Sequence, residues 1–168
     1  AVGYHSLYAN TTGTRNTAVG MNVLVANTTG VDNTAVGGID AAAAATLGSN
    51  TTGTDNVAVG GGALHSNTTA SNNTAMGYRS LKANTTASNN TAFGYSSLAA
   101  NTTGTANTAI GKNATPLSTT ASSNTAIGVD AGYPVTTGSE NTFLGRHAGY
   151  YSGSSTSAGI TTGSNNSY

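Results

Sequence analysis

The residues that could carry out acid–base catalysis are few and widely spaced in this chain. Asp32, Asp55 and Glu140 occupy the same place in a repeated segment, but only Asp32 and Asp55 fall in adjacent repeats. Two carboxylates held close together could act as acid and base in glycoside hydrolysis. Asp40 and Asp130 fall at other places in the repeat. The pattern fits an exposed row of turn residues better than a catalytic pair.

Metal, nucleophile and phosphate sites are not predicted either. His5 and His147 share one repeat position at opposite ends of the chain, and His65 lies at another, so three histidines of one chain cannot meet at a metal. The serines have no His and Asp placed to activate them. Residues 60–62 are three consecutive glycines without the Lys and following helix of a phosphate loop. We therefore predict no catalytic, metal or cofactor site, and no enzyme.

Composition excludes several further classes of protein. The 168 residues include 31 Thr, 20 Asn and 23 Gly but only five Lys plus Arg and five Asp plus Glu, with zero net charge. A nucleic-acid binder would carry a basic patch, which is missing here. No apolar run approaches the ~20 residues of a membrane-spanning helix, and there is no Cys. The chain starts within a repeat and has no signal-peptide pattern, so we interpret it as a fragment or a mature segment of a longer chain.

All of these residues lie in or between copies of one motif, Asn-Thr-Ala-Xaa-Gly with a large apolar Xaa. It begins at Asn16 and recurs mostly at intervals of 17 residues, with a gap of 23 after Asn33 and of 25 after Asn141. A fixed period indicates a repeat architecture. We number each repeat from this Asn, so that position 1 is Asn73 and position 17 is Asn89 in one complete copy. Position 3 is almost always Ala, position 5 Gly, position 9 often Leu and positions 12–15 Asn-Thr-Thr-Gly or Asn-Thr-Thr-Ala.

The period and residue types predict an all-β fold, a parallel β-solenoid or β-roll built of 17-residue coils. Helical repeats need about 33 residues or more. Seventeen residues suit one coil with two short strands and two turns, since Thr, Val, Ile and Phe favour strands and Asn and Gly favour turns. We predict one domain over residues 1–168 with about nine coils. Stacked Asn and Thr columns would hydrogen-bond from coil to coil.

Position 4 holds the largest apolar residue of the predicted strand. Strand alternation sends it to the face opposite Ala and Gly at positions 3 and 5. A thin roll with Ala and Gly inside buries little surface alone, so we expect position 4 to pack against other copies in a homotrimeric or otherwise oligomeric rod. The alternative is a monomer with positions 4 and 9 both inside. The predicted interface residues are Val19, Val36, Val59, Met76, Phe93, Ile110, Ile127 and Leu144.

The motif resembles two known families. Asn-Thr-Ala-Val-Gly with Tyr-Xaa-Ser-Leu and Asn-Thr-Thr-Gly is similar to the repeats of phage tail-fibre proteins. The Ala-Val-Gly and Ala-Ile-Gly cores also resemble head repeats of trimeric autotransporter adhesins of the YadA type. The resemblance implies a trimer of parallel β-rolls at a cell or virion surface that binds host matrix or other surfaces. The adhesin repeat is usually shorter than 17 residues.

The pattern is interrupted in two places and changes towards the C-terminus. Insertions fall near residues 41–46, before Leu47 resumes position 9, and near residues 152–159. Both consist of small residues, which favours spacer bulges over binding loops. Tyr133, Tyr150 and Tyr151 gather near the second insertion. They predict a contact with a neighbouring domain or subunit, or an aromatic patch that binds carbohydrate.

The Asn and Thr columns predict two further properties of the surface, N-glycosylation and ice binding. Position 12 carries Asn-Xaa-Thr sequons, although stacked glycans ~4.8 Å apart would crowd one another. Thr-Xaa-Thr segments such as Thr12-Gly13-Thr14 would suit an ice-binding face, but position 16 varies. The glycosylation candidates are Asn10, Asn27, Asn50, Asn67, Asn84 and Asn101.

The functional prediction from the sequence is a structural component of an extracellular fibre or filament, a surface appendage or phage tail fibre, with adhesion as a further role. The alternatives are a carbohydrate- or receptor-binding adhesin head module and, as a lesser one, an ice-binding solenoid. The expected partners are copies of the same chain, in a homo-oligomer or head-to-tail filament, and a surface glycan or host receptor. Nucleic acid and membrane insertion are not expected.

Overall fold

The computed structural model describes residues 1–150 and 162–167 of the chain. These residues form an eight-stranded parallel sheet in which the strands follow one another in chain order. Each coil contributes one three-residue strand and then returns to the same edge of the sheet, so the predicted all-β parallel solenoid with coils of about 17 residues is confirmed. The strands are β1 (Thr17–Val19), β2 (Thr34–Val36), β3 (Val57–Val59), β4 (Thr74–Met76), β5 (Thr91–Phe93), β6 (Thr108–Ile110), β7 (Thr125–Ile127) and β8 (Thr142–Leu144).

Identical positions of the repeat pair with one another throughout the sheet. Ala18 is opposite Ala35 in the β1–β2 pair, and Ala126 is opposite Phe143 in the β7–β8 pair. The register survives the 23-residue interval, because Val36 of β2 still lies opposite Val59 of β3. The first insertion therefore does not change the register of the sheet.

The interior of the coil is filled by positions 3 and 9. The position-3 alanines from Ala18 to Ala126 are inaccessible to solvent, and the position-9 leucines from Leu24 to Leu98 are at most 1% exposed. Leu47 is also fully buried, which confirms that it resumes position 9 after the insertion. Because Ala and Leu already form the core, the alternative in which position 4 also lies inside is wrong.

The expected second strand of each coil is absent from the described residues. The backbone at positions 7 and 9 is left-handed, for example φ 57° at Arg79 and 49° at Leu81, and extended strand geometry cannot pass through such residues. This half of the coil still bonds to its neighbours, since the Leu81 amide donates to the Ser97 carbonyl at 3.0 Å. Coil-to-coil bonding thus continues through turns rather than a strand.

Glycine at position 5 is required for two physical reasons. Gly94 has φ 132°, which L side chains rarely adopt. A Cβ there would lie 2.5 Å from the carbonyl oxygen of Gly111 in the next coil. Positive φ and the close approach of the next coil's backbone therefore both select glycine at this position.

Two buried columns of asparagine amides tie the coils together. At position 1, each backbone amide donates to the Oδ1 atom of the preceding Asn at 2.9–3.1 Å, from Asn33 on Asn16 to Asn166 on Asn141. At position 12, each Nδ2 donates to the preceding Oδ1 at 2.8–3.0 Å, from Asn27 on Asn10 to Asn101 on Asn84. Both columns also donate to the position-15 carbonyls, for example Asn73 and Asn84 to Ala87. The predicted Asn ladders are therefore present.

The first insertion is a closed loop over residues 38–46 with a buried charge. Ile39 pairs with Ala45 in an antiparallel bridge, and Thr46 Oγ1 donates to the Gly60 carbonyl at 2.7 Å to restore the coil. Asp40 Oδ1 accepts from the amides of Ala42 and Ala44 at 2.8 and 2.9 Å. The second insertion, predicted near residues 152–159, and Tyr151 lie outside the described residues.

Candidate functional site

The most extensive candidate surface is the column of position-4 side chains along the outer face of the sheet, which we call the position-4 column. In every strand the middle residue is buried while the residues on either side of it are half-buried or exposed. Val59 and Met76 are half-buried. The more exposed members range from 36% to 68% accessible and are Val19, Val36, Phe93, Ile110, Ile127 and Leu144.

Strand geometry fixes this surface as a straight column. Because the strands pair in register, Met76 lies beside Phe93 and Phe93 beside Ile110. Strands in a sheet lie about 4.8 Å apart, so eight of them span roughly 34 Å. The threonines of position 2 point to the same face, as alternation requires. The outer face is thus one apolar column beside a column of threonines that Val57 interrupts, without charged side chains in either.

Aromatic residues at position 6 widen the apolar surface in the middle of the rod. The rings of Tyr78 and Tyr95 stack with centroids 5.6 Å apart and planes 14° from parallel. The Arg79 guanidinium lies 5.1 Å from the Tyr78 ring centroid, in the range of a cation–π contact. Tyr95 and Phe93 each leave about half of their surface exposed. The largest apolar side chains therefore cluster on β4, β5 and the turns after them.

The six position-12 asparagines predicted as glycosylation candidates are engaged inside the coil. Asn27, Asn50, Asn67, Asn84 and Asn101 are inaccessible to solvent, and Asn10 is partly buried. Each Nδ2, the atom to which a glycan would be attached, donates to the carbonyl of position 15 at 2.9–3.1 Å. A glycan on these atoms is incompatible with the folded coil, which corrects the prediction.

The threonine columns do not form the paired face that ice binding would need. Position 14 is exposed, as at Thr86 and Thr103. Hydroxyl groups at position 16 instead accept backbone bonds from the preceding coil, as Ser71 Oγ does from the Thr54 amide at 3.0 Å. Position 14 is thus a single file of threonines, which weakens the ice-binding alternative.

The predicted acidic positions are held in separate contacts. The Arg15 guanidinium donates to both carboxylate oxygens of Asp32 at 2.6 Å, and this hydrogen bond lowers the pKa of Asp32. Asp55 is exposed and accepts from Thr54 Oγ1 at 3.1 Å. Arg15, Asp32 and Asp55 share position 17, so this edge of the rod is a turn column that carries charges of both signs.

The buried Asp40 carboxylate was not singled out by sequence reasoning. Its side chain is inaccessible, and Oδ2 accepts from Arg79 Nε at 2.6 Å, with Lys82 Nζ 3.7 Å away. Burial alone would raise the pKa of Asp40, but the bonds from the Ala44 amide, Arg79 and the Ala42 amide outweigh it and hold the pKa well below its usual range. The charge on the insertion thus clamps the loop to a later coil. All of its acceptor sites face protein donors, so it does not form a ligand site.

Tyrosine and histidine side chains gather at the C-terminal end of the described rod. The Tyr133 and Tyr150 rings meet edge to face with centroids 5.5 Å apart, and His147 stacks on Tyr150 at 5.0 Å. His147 Nε2 lies 3.3 Å from an Asp130 carboxylate oxygen. Tyr150 is 41% exposed. The cluster presents an aromatic edge to solvent.

Other kinds of site are not found in the part of the chain that the structure describes. Within residues 1–150 and 162–167, no three His, Asp or Glu side chains are grouped so that they could hold a metal ion. No pocket opens on the surface of these residues. None of them belongs to a helix long and apolar enough to cross a membrane.

Comparison with known proteins does not assign the chain to a family. No protein-family model matches it, and neither does any curated protein or solved structure.

Proposed function

We propose that this chain is a structural segment of an extracellular fibre or filament, in which rods associate with copies of themselves through the position-4 column. The observation that supports this is the unbroken line of apolar side chains on the outer face of the sheet, from Val19 to Leu144. Exposed apolar patches on this scale in soluble proteins commonly mark interaction sites. The interior offers no place for these side chains, because positions 3 and 9 already fill it.

A second copy of the chain is the partner that fits this surface best. The column repeats once per coil, at about 4.8 Å, over all eight strands. A partner with a different spacing would match it at a few points only, whereas another copy has the same period along its whole length. Oligomers of identical chains are usually closed and symmetric. A homotrimer with the position-4 columns around a shared axis is the arrangement we propose.

The location of this fibre at a cell or virion surface is supported by the resemblance of the motif to tail-fibre and adhesin repeats. Composition is consistent with a structural role, since the Asn side chains bond in ladders and the Ala and Leu side chains form the core. The rod would act as a spacer or stalk whose length is set by the number of coils. Adhesion, where present, would be added at its ends or in its interrupted repeats.

The experiment that tests self-association is measurement of molar mass by light scattering. We expect the wild type to give a multiple of 16.4 kDa, and Phe93→Asp or Ile110→Asp to shift the mass to that of a monomer. Thr103→Asp is the matched control, because Thr103 is exposed but lies at position 14 of the same coil as Phe93. A monomeric wild type, or an oligomer that both position-4 variants leave intact, would refute this interface.

A second candidate function is binding of a surface glycan or host receptor at the cluster of Tyr133, His147 and Tyr150. Tyrosine rings combine an apolar face with a polar hydroxyl, which suits contact with sugars. The exposed edge of Tyr150 is the observation that favours it. Wild-type binding to a glycan array that is lost in Tyr150→Ala and kept in Tyr95→Ala would support this function. Equal binding by both variants would place the ligand elsewhere.

A further inference from the structure

The position-12 amide ladder stops at Asn101, because position 12 of the next coil is Ser118. In the five earlier steps an Nδ2 group donates to the preceding Oδ1 at 2.8–3.0 Å. Here the serine hydroxyl does not reach. Asn101 Oδ1 and Ser118 Oγ are the buried side-chain polar atoms of the described chain that have no hydrogen-bond partner within it. Buried groups of this kind are rare and call for a physical explanation.

The Ala121 carbonyl oxygen, a third polar atom near this step, can accept one more hydrogen bond. From Gly30 to Gly104 each position-15 carbonyl accepts two amide groups, as Gly104 does from Asn90 and Asn101 at 2.9 Å each. The Ala121 carbonyl accepts only from Asn107, at 2.8 Å. Asn101 Oδ1 lies 2.6 Å from the point where a Cβ on Gly104 would stand, and the Ala121 carbonyl oxygen is also next to that point. Two acceptors therefore converge where the missing amide would lie, and Ser118 occupies the repeat position that supplies this amide in the earlier coils.

We propose that one buried water molecule binds at this step and takes the place of the missing Nδ2 group. It would donate to Asn101 Oδ1 and to the Ala121 carbonyl, the two acceptors that an Asn amide serves elsewhere, and accept from Ser118 Oγ. Three hydrogen bonds are typical of a buried water. Serine has two heavy atoms fewer than asparagine, which leaves room on the scale of one water, about 30 Å³.

The next coil explains why the protein cannot satisfy these atoms by itself. Position 12 there is Val135, which is fully buried and has no polar side-chain atom. Ser118 is 1% exposed and Asn101 is inaccessible, so bulk solvent does not reach the step. The water thus joins the amide ladder to the apolar end of the same column. This site is independent of the proposed self-association.

The decisive test is a crystal structure of the wild type and of Ser118→Asn at a resolution that shows ordered water. We expect a water within hydrogen-bond distance of Asn101 Oδ1, Ser118 Oγ and the Ala121 carbonyl in the wild type. In Ser118→Asn we expect the amide nitrogen at that point instead. A wild-type structure in which Asn101 Oδ1 pairs with a protein group, with no water present, would overturn the proposal.

Urea unfolding provides an independent test. Ser118→Asn should leave the folding equilibrium constant within roughly tenfold of the wild type, because direct bonds replace the water at this step while the new Oδ1 atom faces Val135 and gains no donor. Ser118→Val, whose side chain is tolerated at this position in the next coil, should exclude the water and lower the constant by roughly tenfold or more. Thr120→Asn, at an exposed position of the same coil, is the control and should leave it unchanged. A Ser118→Val protein as stable as the wild type would also overturn the proposal.

Discussion

The ring of Phe143 fills the space that a position-9 leucine would need in the same coil, where the chain has Gly149. A Cβ on Gly149 would lie 2.5 Å from the Cδ1 and Cε1 atoms of Phe143. In earlier coils the arrangement is reversed, with Ala92 at position 3 and Leu98 at position 9. The large side chain that fills the interior can therefore come from either position, although the two coils between have Thr115 and Gly132 at position 9 and Ala at position 3.

Phe143→Ala should destabilise the rod because the coil then has no large side chain. Loss of a buried phenylalanine ring costs about 3–5 kcal/mol in free energy of unfolding. Adding Gly149→Leu recreates the pattern of the earlier coils, and its left-handed backbone (φ 69°) is one that Leu98 already adopts at φ 49°. We expect the double variant to regain most of the loss, measured by urea unfolding. A double variant less stable than Phe143→Ala alone would show that the two positions do not exchange roles.

Gly94→Ala should be much more damaging than Gly145→Ala. Both glycines have a positive φ, 132° and 115°, so an alanine is strained at either one by about 1–3 kcal/mol. A Cβ on Gly94 would also meet the Gly111 carbonyl, whereas a Cβ on Gly145 would meet nothing within 4 Å. The difference in unfolding free energy between the two variants measures the close approach of adjacent coils. Equal losses would mean that strain alone selects glycine at position 5.

Stability should fall in acid through Asp40. Its folded-state pKa is held below the value of about 3.9 for an unstructured Asp. A lowered carboxyl pKa means that the stabilisation is fully present above the unfolded pKa and is lost as pH falls through the folded pKa. Asp40→Asn should therefore destabilise the chain at neutral pH and flatten the acid limb of a plot of unfolding free energy against pH.

Asp32→Asn is the control for this pH dependence, since the pKa of Asp32 is lowered by an exposed partner. Exposed ion pairs contribute little to stability. We expect its effect at neutral pH to be smaller than that of Asp40→Asn. An Asp40→Asn profile that retains the wild-type acid limb would assign the pH dependence to other carboxylates.

Asn84→Ala should interrupt the position-12 ladder in the middle of the rod. The change removes the donor to Asn67 Oδ1 and the acceptor of Asn101 Nδ2, so buried polar groups lose partners on both sides. We expect a loss of about 2–6 kcal/mol in unfolding free energy, at about 1–3 kcal/mol for each unsatisfied group. Thr86→Ala, at an exposed position of the same coil, should change it by less than about 0.5 kcal/mol. Similar losses in the two variants would contradict a stabilising ladder.

The sequence was sufficient to predict the period, the parallel solenoid, the buried Ala column and the outward direction of position 4. These follow from a strict repeat and from strand alternation. The prediction of a second strand in each coil was wrong, because residue types such as Leu81 and Arg79 do not indicate the left-handed backbone found there. The Asp40–Arg79 pair joins residues 39 apart, and only the coil stacking brings them together.

The position-12 asparagines show how one pattern can support opposite interpretations. A glycosylated sequon at the surface and a buried amide ladder can share the same Asn-Thr-Thr sequence. The direction of the side chain separates them, and that depends on the turn geometry after position 9. The same geometry decides that Asn84 faces inward while Thr86 is exposed.

The in-register stacking of like positions has a consequence for how such a chain can change over generations. Copying 17 consecutive residues from the regular part of the chain, such as residues 73–89, adds one coil, about 4.8 Å of length, and leaves every column aligned. The 38–46 loop shows that extra residues can also be accommodated in a loop without disturbing the pairing of Val36 with Val59. Duplication within the gene would therefore lengthen the rod without redesigning its core.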